Sequence, residues 1–104
     1  YNGFPDSIQI FSLGTSMTVT FLGAIGRITG VRTQTASATN VRELLEELLR
    51  RHGQEWREQV FDGTDLAHGV TVVVNGLNVG TVQGLSTPLQ PGDQIVLFPP
   101  FEGG

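Results

Sequence analysis

The residues best suited to chemistry close the sequence, Phe98-Pro99-Pro100-Phe101-Glu102-Gly103-Gly104. Glycine lacks a β-carbon, so Gly103 and Gly104 can thread a slot too narrow for other residues and leave the terminal carboxylate unhindered. Pro99 and Pro100 favour an extended, stiff exit. From Pro99 onward the tail spans roughly 20 Å when extended, enough to reach a buried site in another protein. These properties suit a segment that another protein handles as substrate. The plainer alternative is a frayed, glycine-rich terminus.

The rest of the chain offers little else that reacts. A P-loop is excluded without lysine, and Gly23-Ala24-Ile25-Gly26 lacks the spacing of a dinucleotide fingerprint. His52 and His68 have no second pair of metal-ligand residues beside them and read as a helix-end and a loop residue. Asp62 and Asp65 match only a fragment of a calcium loop, and no serine sits in a nucleophile elbow. No bound cofactor and no metal site is expected.

The tail needs a body to carry it. Residues 18–22, directly after the single methionine Met17, alternate polar and apolar and read as a half-buried strand. Gly23, Gly26 and Gly30 punctuate an expected turn, and residues 31–36 return as a second strand. Residues 40–52 form the clearest helix: Asn40 can cap it with Glu43 completing a capping box, and Val41, Leu44, Leu45, Leu48 and Leu49 share one face that must be buried. Glu46 with Arg50 and Glu47 with Arg51 stand four apart on the solvated side, and Gly53 ends the helix. A mixed connector with a short helical turn around residues 55–61 and a polar loop at 62–65 leads to a strand at 70–74. Asn75-Gly76 is a strong signal for a two-residue hairpin turn, with residues 77–79 returning. Pro91-Gly92 makes another turn before a last strand at 94–98, stopped by Pro99 and Pro100. One amphipathic helix on a mixed sheet is an α+β fold.

At 104 residues the chain holds one core, and its 38% hydrophobic content argues against disorder. The expected division is an N-terminal extension or leader over 1–16, in which Ile8, Ile10 and Leu13 could instead supply an edge strand, a body over 17–98, and a flexible reactive tail over 99–104. A net charge of −4, with dispersed arginines and no lysine, argues against nucleic acid. The missing lysine reads most simply as a genome favouring arginine; the sharper reading is that an activatable carboxylate benefits from having no lysine amine nearby to capture it. No apolar run spans a membrane and no signal sequence is recognisable, so a soluble, cytoplasmic protein is expected.

Over residues 17–104 the chain resembles the MoaD and ThiS family of β-grasp sulfur carriers, relatives of ubiquitin. The matching residues are the opening strand at 18–22, Arg27 and Gly30, the helix from Asn40, Val74-Asn75-Gly76, Leu89 with Gly92-Asp93, and Phe98-Pro99-Pro100 ahead of Gly103-Gly104. The connector and the Phe-Pro-Pro tail look most like MoaD, the small subunit of molybdopterin synthase; archaeal-type small modifier proteins share the pattern. Phe101, Glu102 and Asn78 depart from it. The resemblance implies a β-grasp body and a carrier without catalytic side chains of its own. It further implies that an E1-like adenylating enzyme activates the Gly104 carboxylate with ATP, that sulfur transfer gives a thiocarboxylate, and that the molybdopterin synthase large subunit or another sulfur acceptor receives it. Gly104 then bears the reactive group, Gly103 gives access, and Pro99, Pro100, Phe101 and Glu102 guide the tail. Phe98 matches a partner-facing residue and shares its side of the strand with Val96, although Phe98 could equally close the core. A protein modifier joined through Gly104 to lysines of other proteins, and a ubiquitin-like interaction domain that is never activated, are the alternatives.

Overall fold

The computed structural model describes residues 16–81 and 83–100. Strand β1 (Met17–Phe21) leads into helix α1 (Gly23–Thr29), then strand β2 (Thr33–Ala36), helix α2 (Val41–His52) and helix α3 (Gln54–Val60). A two-residue ribbon follows, β3 (Phe61–Asp62) with β4 (Asp65–Leu66), then β5 (Thr71–Val74), β6 (Leu77–Asn78), two short 3-10 turns and β7 (Gln94–Phe98). The main sheet runs β2-β1-β7-β5-β6, with β1 parallel to β7 and the other neighbours antiparallel. This is the β-grasp arrangement. The edge strand that Ile8, Ile10 and Leu13 could supply falls outside the described residues.

Helix α2 forms where its pattern requires. The Asn40 side chain accepts the Glu43 N–H at 2.8 Å. The returning arm of the cap differs from expectation: the Glu43 carboxylate accepts from the Thr39 N–H and hydroxyl, one residue earlier than a standard box. Val41, Leu44, Leu45 and Leu48 are fully buried against Met17, Val19 and Phe21 of β1, Val72 of β5, and Ile95 and Leu97 of β7 within one core cluster. On the solvated side Glu47 bonds both Arg50 and Arg51. The expected Glu46–Arg50 pair gives way to this fork, because i,i+3 neighbours are as close on a helix as i,i+4.

Two elements depart from the sequence reading. The glycines at 23, 26 and 30 do not make a turn; the first two lie in α1, and Gly30 caps it in the left-handed region with φ 76° and an N–H donated to the Gly26 carbonyl. A β-carbon on Gly26 would stand 3.0 Å from the Phe21 carbonyl oxygen, so glycine lets this helix lie against the end of β1 and sink Ile25 into the core. The connector is also more ordered than a mixed loop, since α3 buries Trp56 and Val60 one turn apart.

Trp56 stacks into an aromatic corner with Phe21 and His52, with ring centroids 5.7 Å apart for His52 and Trp56. Nε2 of His52 lies 3.1 Å from Oε1 of Gln34. Burial holds the His52 pKa below its usual 6.5, and the neighbouring Arg51 charge acts in the same direction. A histidine with a depressed folded pKa contributes stability that is complete above 6.5 and is lost as pH falls through the folded value. The thermal midpoint is therefore expected to drop on acidification below pH 6.5, with a smaller drop in His52→Gln. Equal slopes for the two proteins in a pH series of melting curves would count against this assignment.

Candidate functional site

Strand alternation divides β7. Ile95 and Leu97 are fully buried, whereas Val96 is half-buried and Phe98 is 39% exposed, both on the face away from the helices. Phe98 therefore does not close the core. The ladder registers place Thr20 and Val73 beside Val96, and Thr71 beside Phe98. Thr18 with Thr35, Thr33, Gln94 and Asn78 complete the same open face. None of these ten side chains is charged. Such a surface can be covered by a partner without desolvating an ion, while its threonine hydroxyls and the Gln94 amide can bond across the interface. Sequence reading picked out Val96 and Phe98 but missed their threonine neighbours, although the same period of two applies to them.

At the end of this strand the Leu22 N–H bonds the Leu97 carbonyl at 3.1 Å. Pro99 and Pro100 follow, both half-buried against the body. They carry the chain away at the end of the central strand, directly beside Phe98. Phe101, Glu102, Gly103 and Gly104 fall outside the described residues.

Several residues singled out in the sequence position β7. Asn75 takes φ 51° and Gly76 φ 87°, the left-handed pair that a tight hairpin turn needs. The Asn75 amide donates to the Asp93 carboxylate at 2.9 Å, and its carbonyl oxygen accepts the Gln94 N–H at 2.9 Å. The second Asp93 oxygen accepts the Gln90 N–H at 2.8 Å. The β5–β6 turn is thereby tied to the start of β7. Asn78 accepts the Gly80 N–H through its own side chain.

Among the described residues no group of three metal-binding side chains comes together, and no helix is long and apolar enough to cross a membrane.

The ThiS family profile matches residues 19–104. No curated protein matches by sequence. Among solved structures, the small archaeal modifier protein 1 of Methanosarcina acetivorans is similar at 22% identity with a TM-score of 0.76, covering 86% of this chain and 97% of that one. A chain in the BexX/CysO complex of Amycolatopsis orientalis is similar at 24% identity and TM-score 0.75, covering 85% and 99%. A candidate molybdopterin converting factor subunit 1 of Pyrococcus furiosus is similar at 26% identity and TM-score 0.67, covering 84% and 99%.

Proposed function

This chain belongs to the ThiS family, and from that premise we propose that it is a sulfur carrier working through the carboxylate of Gly104. An E1-like enzyme supplies ATP; a Gly104 carboxylate oxygen attacks the α-phosphorus, releases pyrophosphate and leaves an acyl-adenylate. Hydrosulfide from a donor then attacks the acyl carbon, AMP departs, and a thiocarboxylate remains. The catalytic side chains belong to the partners. This chain contributes a docking face centred on Val96 and Phe98, a guided exit at Pro99 and Pro100, and a tail through Phe101, Glu102 and Gly103.

The observation that carries the reading is the exit geometry. The central strand delivers the tail beside an uncharged open face, so one partner can cover the face and receive the terminus together. The finer assignment we favour is the small subunit of molybdopterin synthase, with sulfur delivered to a large subunit, and the likeness to the Pyrococcus furiosus protein supports it. Conjugation of Gly104 to lysines of other proteins is the second reading, favoured by the likeness to an archaeal modifier protein.

Intact-mass analysis after incubation with an E1-like enzyme, ATP and a sulfide source separates these readings. A mass gain equal to the exchange of one oxygen for one sulfur is the expected result. Covalent adducts to other proteins in place of that gain would transfer the assignment to the modifier, and an unchanged mass would leave an interaction domain.

A further inference from the structure

Proline has no N–H, so neither Pro99 nor Pro100 can donate a backbone bond to the body. Each instead packs on a glycine. A β-carbon on Gly23 would stand 2.8 Å from Cγ of Pro99, and one on Gly69 would stand 2.9 Å from Cβ and 3.3 Å from Cα of Pro100. These separations lie well inside the roughly 3.5–4.0 Å optimum for a carbon pair. Gly23 follows β1 and Gly69 precedes β5, the two strands that flank β7. The glycines therefore stand on opposite sides of the outgoing chain. Their φ values are 54° and 87°, but positive φ alone does not create such contacts: Gly63, at 67°, has nothing within 4 Å of its β-carbon position.

We propose that Gly23 and Gly69 are positioning residues of the carrier, a pair of bare backbone jaws that seat the two proline rings and set the direction in which residues 101–104 leave the body. The consequence for activation rests on the carrier reading given above. Beyond Pro100 the chain extends at most about 14 Å, so tilting its base by about 30° displaces the end by about 7 Å. An error of even about 1 Å at a reacting centre can lower a rate about 100-fold. A methyl group on either glycine must move a rigid ring or the Pro100 backbone, and the tail moves with it.

The test uses the full chain, with adenylation followed as ATP–pyrophosphate exchange by the E1-like enzyme of the same genome. Gly23→Ala and Gly69→Ala are expected to lower kcat by about tenfold or more with little change in KM, because the docking face is untouched. Gly63→Ala carries the same kind of backbone strain without a proline contact and is expected to retain the wild-type kcat. Should a glycine variant fail to fold, replacing Pro99 and Pro100 together by glycine empties the cradle from the tail side; the same loss of kcat is expected. Wild-type kcat in the folded glycine variants, or in the double proline variant, would overturn the proposal. Nuclear Overhauser contacts from the Gly23 and Gly69 α-protons to the Pro99 and Pro100 rings give a reading independent of the enzyme. If they are present in a wild-type chain that is never adenylated, the cradle stands and the carrier reading falls. If they are absent, the cradle falls whether or not the chain is adenylated.

Discussion

Deleting Gly104, or appending one alanine after it, is expected to abolish adenylation while leaving the thermal midpoint unchanged. Each residue adds or removes about 3.3–3.6 Å of extended chain, far more than a reacting centre tolerates, so a loss of at least about 100-fold is expected. An appended alanine also places a methyl group beside the carboxylate that Gly104 leaves unhindered. Stability should not follow, because the buried core ends at Leu97 and the change lies beyond it. A shared decline in activity and midpoint would assign the tail a structural role. An extended chain adenylated at the wild-type rate, with the added residue confirmed by mass, would end the proposal that the Gly104 carboxylate is the reactive group.

The largest stability loss is expected at Trp56. Its side chain is fully buried, meets Phe21 edge-on at 5.9 Å between centroids, and donates its indole N–H to the Leu45 carbonyl at 3.1 Å. Trp56→Ala removes a large core volume at the corner where α3 meets α2 and β1, and should destabilise the body by about 3–5 kcal/mol. Trp56→Phe keeps much of that volume and loses the hydrogen bond, so its cost should be nearer 1 kcal/mol. Urea unfolding measures both. Equal, small losses would mean that the corner repacks around the gap.

The contrast between α2 and its neighbours shows what was legible in the sequence. The leucines of α2 repeat at helical spacing over several turns, so its length, buried face and N-cap could be read directly. Strand β7 and the turn at Asn75-Gly76 were equally plain, since alternation and a left-handed dipeptide are local signals. Helix α1 was hidden because its glycines are poor helix formers. What favours the helix is tertiary: the close approach of Gly26 to the Phe21 carbonyl and the burial of Ile25. Helix α3 is only seven residues long, too short for a repeating face to separate it from a single turn, although Trp56 and Val60 carry its entire buried side. At the candidate site, the side of β7 holding Val96 and Phe98 followed from the period of two. Gly69 could not be found in the same way. It lies in the connector, far along the chain from Pro100, and its meaning depends on a contact that exists only after the sheet has closed.

The strand order also bears on how the molecule comes into being. Among the described strands β7 is the last to be synthesised, yet it occupies the centre of the sheet, joined to β1 on one side and β5 on the other. Before it docks, the ladder exists only as two separate ribbons, β1 with β2 and β5 with β6, neither of which is expected to be stable alone. Closing the sheet must bring Met17–Phe21 against Gln94–Phe98, a long-range pairing whose loop entropy falls due before its contacts stabilise anything. Folding is thus expected to wait on the segment that leads into the tail. A nascent or truncated chain lacking β7 has neither a finished sheet nor a seated exit, so on the carrier reading proposed above the tail is offered only by a completed body.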